Sequence, residues 1–231
     1  ERKVMENKLI PIKFGLRWVI FFVLLESSTV PLVAMSNSIA IQNIAYMSIM
    51  GFIVAFICVL VLVKLLRNLL IKHSASLLGF AADDIRGLWY ISVVAGILLM
   101  IMFFVQDIIY AHGYGDYSAG FFSALLSVGI SLLIYELVAK LTGFAIRVHS
   151  GNQVYQIRFQ IRDILILALI FSIYEFFVCP ITSIWVPRHE YRVLIAFASG
   201  VAGGASGGVL LYLISRFVPL HARLTLRKTA K

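Results

Sequence analysis

Charged residues are scarce in this chain of 231 residues: Asp, Glu, Lys and Arg together make up 13%, whereas 61% of the residues are hydrophobic. An ordinary soluble domain carries about 25% charged residues, so this composition excludes one. The chain also lacks a P-loop, an HExxH sequence and a dinucleotide fingerprint, which leaves no recognisable nucleotide or zinc-protease motif. The composition therefore favours a membrane protein. A membrane enzyme is the third alternative for its function, because the sequence shows no complete catalytic set.

Residues that hold metals and cofactors are also few. The two cysteines, Cys58 and Cys179, fall within apolar runs and have no ligand spacing, so we expect neither a disulfide framework nor a metal site. All five histidines fall in expected loops or at helix boundaries, which disfavours a haem held by intramembrane histidines. We expect no cofactor.

Long apolar runs dominate what is present. A helix needs about 20 apolar residues to cross the hydrocarbon core of a membrane. The sequence predicts an all-α bundle of six transmembrane helices, and the chain from 1 to 231 is expected to form a single membrane domain. The approximate helices are 14–35, 40–66, 87–111, 118–146, 162–186 and 192–216.

Positive charge lies almost entirely on one side of these helices. Of the 20 Lys and Arg residues, 18 fall in segments on the side of the two chain ends, and only Arg188 and Arg192 fall on the other side. The positive-inside rule then predicts that both ends are cytoplasmic. The same distribution attributes the net charge of +9 to membrane orientation and anionic lipid, and not to nucleic-acid binding.

Several residues are typical of a membrane boundary. Arg17 and Trp18 are expected to anchor the first helix at the interface. Glu136 precedes Lys140 by four residues, the favoured orientation for a helical ion pair. At the opposite boundary, four polar and aromatic residues follow Asp107 and form either an interfacial belt or a site of ligand access. They are Tyr110, His112, Tyr114 and Tyr117.

Two connections have a pattern of their own. Paired leucines in 68–86 are typical of an amphipathic helix on the membrane surface. In 147–161, the turn residues SGN are followed by the alternating run YQIRFQIR, which predicts a strand or an extended surface segment. A basic lead-in to the fifth helix is the alternative interpretation.

Two glutamates interrupt the apolar helices. Glu26 lies about ten residues into the first helix and Glu175 about eleven residues beyond Ile164 in the fifth, so both are expected about 15 Å deep. An ionisable group at that depth costs several kcal/mol and by default indicates a functional site. We predict that the two carboxyl groups share one level of the bundle and bind ligand there.

Each glutamate is followed five residues later by a proline, Pro31 or Pro180. A proline removes the hydrogen bond to the carbonyl four residues earlier, here that of Ser27 or Phe176. These carbonyls, with the hydroxyl of Ser27, complete the predicted ligand-binding set. A purely structural kink is the alternative, because neighbouring helices can also satisfy freed carbonyls. The matching patterns further suggest an internal repeat.

The last helix is rich in glycine. Gly200, Gly204 and Gly208 recur every four residues, a spacing that lets two helix backbones approach closely, within the chain or between subunits. The sequence Gly204-Ala205-Ser206-Gly207 resembles the GxSG nucleophile motif of rhomboid proteases. In that family a later histidine activates the serine, whereas here only His221 in the tail follows, so no catalytic residue is assigned.

These features predict a small transporter, channel or substrate-capturing permease subunit. Its midplane carboxylates would bind a cation, a proton or an amine-bearing solute. The expected partners are the lipid bilayer, a small solute or cation, and a second copy or another membrane subunit. The alternative is a membrane sensor or assembly module that acts through cytoplasmic proteins. Short loops and the absence of an N-x-S/T acceptor favour the bacterial inner membrane.

Overall fold

A computed structural model describes residues 8–12, 15–39, 44–65, 85–143, 145, 147–150, 153–184, 191–218 and 220–226. These residues form six helices and four strands. The helices are α1 (Leu16–Ile39), α2 (Ile44–Leu65), α3 (Ile85–Ala111), α4 (Asp116–Thr142), α5 (Ile161–Thr182) and α6 (Arg192–Phe217). The strands are β1 (Lys8–Ile12), β2 (Arg147–Ser150), β3 (Gln153–Arg158) and β4 (Leu220–Leu226).

Five of the six helices are long and apolar enough to cross a membrane. In α2 the apolar segment within the described residues is shorter, from Tyr46 to Leu62. Large apolar side chains cover the outer surface of the bundle, as expected where hydrocarbon is the solvent. The chain is therefore a helical, multi-pass membrane protein.

The helices form a closed ring in chain order. Each of α1 to α5 packs against the helix that follows it, and α6 returns to pack against α1. The most extensive pairings are α1 with α6, α4 with α5, and α2 with α3. This arrangement places α1 and α5 on either side of α6, so that their side chains meet inside the ring.

Most helix boundaries lie within four residues of the predicted ones, and α4 shows why they differ. The prediction extended this helix to residue 146, but it ends at Thr142 because Gly143 adopts a left-handed conformation with φ of 67°. The Gly143 N–H then donates to the carbonyl of Ala139, which caps the helix. Residues 66–84, most of the predicted amphipathic segment, lie outside the described part of the chain.

A four-stranded antiparallel sheet lies at one end of the bundle, which the all-α prediction did not include. Its order is β1-β4-β3-β2. The strand before α1 pairs with the strand after α6, with Ile10 opposite Ala222, and β3 pairs with β4 through Ile157 and Leu224. A strand was predicted in the run 155–162: its first half is confirmed as part of β3, whereas its end already belongs to α5, and the partner strand β2 was not predicted. We call this end of the bundle the sheet face, and the opposite end the distal face.

The β2–β3 hairpin is attached to α4 by hydrogen bonds. The Tyr135 hydroxyl donates to the carbonyl of the buried Ile157 over 2.8 Å. Glu136 accepts from Arg158 Nε at 2.9 Å and from the Phe159 N–H at 2.5 Å. The predicted pairing of Glu136 with Lys140 is therefore wrong: the carboxylate turns toward the sheet, while Lys140 is exposed.

The largest apolar cluster fills the half of the bundle next to the sheet. Trp18 belongs to it, packed edge-on against Phe21 with ring centroids 5.3 Å apart. Its predicted role as an interfacial anchor is wrong, because only 4% of its surface is exposed. Its ring is instead packed against Phe21 and Phe22 of its own helix, inside this cluster. The other fully packed members include Phe22, Val59, Leu62, Val128, Leu167, Ala168, Ile170 and Leu211.

Candidate functional site

A direct contact joins α1 to α5 inside the ring. The Tyr174 hydroxyl on α5 donates a hydrogen bond of 2.9 Å to Glu26 Oε1 on α1. Tyr174 is only 2% exposed, and its ring packs against Phe22 at 5.6 Å between centroids. A buried phenol of this kind requires a polar partner, and the carboxylate supplies one. Sequence reasoning missed Tyr174, although its place beside Glu175 on an apolar helix was a signal.

Glu175 lies next to this contact. Its carboxyl group is close enough to Glu26 for the two to interact electrostatically, and Tyr174 interacts with both. The helical rise places Glu26 about 15 Å from the start of α1 and Glu175 about 21 Å from the start of α5. We call Glu26, Tyr174 and Glu175 the carboxyl site.

Both glutamate backbones are held by glycines of a neighbouring helix. A Cβ atom added at Gly200 of α6 would lie 2.5 Å from the carbonyl oxygen of Glu26. A Cβ atom added at Gly120 of α4 would overlap the carbonyl oxygen of Glu175 and lie 2.7 Å from the Cβ of Cys179. Only a residue without a side chain allows these approaches. The two Glu-x4-Pro helices thus share a backbone contact that the sequence pattern did not reveal.

The predicted glycine stripe of α6 lies inside the protein. Like Gly200, Gly204 and Gly208 face the backbone of α1, where added Cβ atoms would lie 2.6 Å from the Cα of Val23 and 2.8 Å from that of Val19. Gly203 and Gly207, which directly precede Gly204 and Gly208, face α5. The stripe therefore fixes α6 between the two helices that carry the carboxyl site.

Both prolines lie within helices that continue through them. The hydroxyl groups near Pro31 bond to their own helix: Ser28 Oγ donates to the Leu24 carbonyl at 2.6 Å, and Thr29 Oγ1 donates to the Leu25 carbonyl at 2.9 Å. Ser27 Oγ also donates to the Leu24 carbonyl, at 3.3 Å. The Ser27 hydroxyl, predicted to bind ligand, is thus engaged within α1.

Phe176 was predicted to bind ligand only through its backbone carbonyl group. Its side chain lies on the outside of the bundle. Its ring is 37% exposed and contacts Tyr117 at 5.0 Å between centroids. Together they line part of an apolar groove of about 410 Å³ between α4 and α5. This side chain is therefore not part of the carboxyl site.

A second polar group, which we call the distal cluster, lies one helical turn nearer the distal face. It surrounds Cys179, whose Sγ lies 3.9 Å from Gln106 Nε2 and 3.7 Å from the Tyr110 hydroxyl on α3. The Ser183 hydroxyl lies 3.9 Å from the same sulfur. The Tyr110 hydroxyl also donates to Asp116 Oδ1 at 2.8 Å. Sequence reasoning placed Tyr110 at this boundary but gave Gln106, Asp116 and Cys179 no role.

Two further observations concern metal binding and a serine nucleophile. Within the described residues, no group of three or more His, Cys, Asp and Glu side chains could hold a metal ion. Ser206, in the sequence that resembles the rhomboid motif, donates its hydroxyl to the Gly203 carbonyl at 3.0 Å. Its side chain is exposed on the surface of α6, away from the carboxyl site.

No protein-family model, curated protein or solved structure matches the chain. The chemistry of the carboxyl site is therefore the strongest indication of function.

Proposed function

We propose that this protein is a small membrane transporter, channel or substrate-capturing permease subunit that binds a cation, a proton or an amine-bearing solute at the carboxyl site. The observation that carries the proposal is the hydrogen bond from Tyr174 to Glu26 beside the second carboxyl group of Glu175. Two acidic groups placed together at membrane depth are costly unless a positive charge or protons compensate them.

The geometry favours a small positively charged ligand. Two carboxyl groups on different helices supply up to four oxygen atoms, and the phenol orients one of these groups. A cation or an ammonium group between them would remove the repulsion between the carboxylates, whereas an anion would increase it. A shared proton is the smallest ligand that meets the same requirement.

The proposed topology has six membrane crossings, with the sheet face in the cytoplasm of a bacterial inner membrane. The sheet pairs the segments before α1 and after α6, so these segments lie on one side of the bundle. An even number of crossings agrees with that pairing. The predominance of Lys and Arg in the same segments supports the cytoplasmic orientation.

Ligand-dependent thermal stability of the detergent-purified protein tests the proposal. Sodium, potassium, calcium, methylammonium and spermidine chlorides are compared at equal ionic strength and at pH 5 to 8. A ligand at one hundred times its Kd stabilises the folded state by about 2.7 kcal/mol. We expect a shift with at least one cation or with pH, and its loss in Glu26→Gln and in Glu175→Gln.

Asp163→Asn is the matched control, because it removes a buried carboxyl group at the other end of α5. This variant should lose some baseline stability and keep the ligand-dependent shift. If no cation or pH change shifts the wild type, and both glutamine variants melt at or above its temperature, the carboxyl site is structural and the proposal is wrong.

The sheet favours a second candidate, a sensor or assembly module that acts through soluble partners. Its outer strands, β1 and β2, each have one edge without a partner strand among the described residues. Such an edge can pair with a strand of another protein. Affinity purification of the intact protein decides between the two candidates: a stoichiometric soluble partner, lost when proline replaces Val148 in β2, supports the second.

A further inference from the structure

We infer that the ligand of the carboxyl site enters from the distal face, through the distal cluster of Gln106, Tyr110, Asp116, Cys179 and Ser183. This inference rests on the proposed function, because it assigns a route to that site. Its basis is a series of polar side chains, about one helical turn apart on α3 and α5, between the distal face and the carboxyl site, together with dense packing on the other side.

The run begins at the N-terminus of α4. Asp116 accepts a hydrogen bond from the hydroxyl of Tyr110, a residue that is 39% exposed. The same hydroxyl lies 3.7 Å from Cys179 Sγ. Gln106, one turn deeper on α3 and 9% exposed, donates its amide to the same sulfur. These groups offer a carboxylate, two hydroxyls, a thiol and an amide to a ligand that leaves water.

The run then continues along α5 to the carboxyl site. Cys179 follows Glu175 by four residues, which places both side chains on the same face of α5. Glu175 in turn interacts with Glu26, which accepts from Tyr174. Gly120 lets α4 approach α5 at this level, which fixes the position of Glu175 and Cys179.

The side toward the sheet is packed differently. Trp18 and Phe22 of α1, Leu167 of α5 and Leu211 of α6 close the interior between the carboxyl site and the sheet. Two serines of α4, Ser127 and Ser131, also lie on this side, and Ser127 donates its hydroxyl to the Ala124 carbonyl of its own helix. A cation would find fewer replacement ligands for its water there than in the distal cluster, which makes the sheet side the less favourable route. The distal face therefore supplies the ligand in this conformation.

Thiol labelling in oriented membrane vesicles tests the route. In Cys58→Ala, Cys179 is the only thiol, and it is treated from either side with the impermeant thiosulfonates MTSET, a cation, and MTSES, an anion. We expect modification from the distal face only, with MTSET at least tenfold faster than MTSES. Glu175→Gln in the same background should reduce this preference for the cation.

Two single-cysteine variants, made in a background in which both native cysteines are replaced, provide the controls. Phe177→Cys lies near the same depth on α5 but faces lipid, with 51% exposure, so it should react from neither side. Thr225→Cys in β4 marks the sheet face. Gln106→Leu, combined with Cys58→Ala, replaces the amide by an apolar group of similar size and should slow the labelling of Cys179 at least tenfold.

The outcomes separate this inference from the function on which it rests. Labelling of Cys179 only from the sheet face, or from neither face, overturns the route. If the stability shift with cations still requires Glu26 in that case, the proposed binding function stands although the route is wrong. A third outcome is that Cys179 is labelled from the distal face at equal rates by MTSET and MTSES, and that no cation shifts the thermal stability. This outcome would show a water-filled crevice and would reject the cation site. An unchanged rate in the Gln106→Leu variant would remove that residue from the route.

Discussion

Tyr174 and Glu26 are 148 residues apart in the chain, and the hydroxyl of one donates to the carboxyl group of the other over 2.9 Å. This bond joins α1 and α5, which are not consecutive in the ring of helices. It is the hydrogen bond that the Glu26 carboxyl group accepts from another helix. The first prediction concerns this bond.

Tyr174→Phe should keep the fold and weaken the binding of cations. The ring would still pack against Phe22 and Gly207, but the Glu26 carboxylate of the proposed cation-bound state would lose its donor. A hydrogen bond to a charged group contributes about 2 kcal/mol, so an affinity loss of at least tenfold is expected in the thermal-shift titration. Tyr117→Phe, on the outer surface, is the matched control and should titrate like wild type.

Gly204→Ala should destabilise the protein, because the added Cβ would overlap the backbone of α1 near Phe22. Overpacking of this kind costs about 1–3 kcal/mol. Gly129→Ala is the matched control: it lies in α4 with nothing within 4 Å of an added Cβ. Since alanine is the better helix former by about 1 kcal/mol, this control should be neutral or stabilising. Thermal melts in one detergent compare them, and equal melting temperatures would contradict the close packing of α1 and α6.

Glu136→Gln should weaken the attachment of the sheet to the bundle. The neutral amide keeps one acceptor for the Phe159 N–H but loses the charge that pairs with Arg158. Because both side chains are partly buried, we expect a coupling free energy of about 1 kcal/mol between positions 136 and 158 in a double-mutant cycle with Arg158→Gln. A cycle of Lys140→Gln with Glu136→Gln should show a smaller coupling, since Lys140 is exposed. The reverse order of couplings would favour the ion pair expected from sequence.

Cysteines at positions 10 and 222 should form an intramolecular disulfide when the two native cysteines are replaced. Ile10 and Ala222 are directly opposite in the β1–β4 pairing, where Cβ atoms lie about 5 Å apart. Cysteines at 10 and 226 are the control, because the second position lies about 13 Å further along the strand. Mild oxidation followed by gel mobility measures the bond. Crosslinks between separate chains, without an intramolecular product, would show that β1 pairs with another copy.

Much of the helical architecture could be predicted from the sequence because hydrophobic length alone decides which segments enter a membrane. The sheet was harder to predict. Residues 8–12 contain a proline and too few residues to show alternation, and their pairing with 220–226 joins segments more than 200 residues apart. Local patterns carry no information about such a contact.

The carboxyl site was likewise predictable in part. The cost of burying Glu26 and Glu175 made both visible in the sequence, whereas Tyr174 and Cys179 resemble ordinary core residues until the packing of α5 is known. Glu136 was misassigned because the sequence pairs it with Lys140 four residues away, whereas in the fold it accepts from Arg158 and from the Phe159 N–H. Trp18 was misassigned because its place near the start of α1 does not reveal that its ring is buried against Phe21 and Phe22.

Glycine contacts hold the helix backbones on both sides of the carboxyl site. Gly200 fastens α6 to the backbone of Glu26, Gly120 fastens α4 to the backbone of Glu175, and Gly207 places α6 against the ring of Tyr174. The spacing of the two carboxyl groups is therefore set by backbone packing as well as by the Tyr174–Glu26 bond. A ligand whose size matches this spacing loses little binding free energy to rearrangement of the helices.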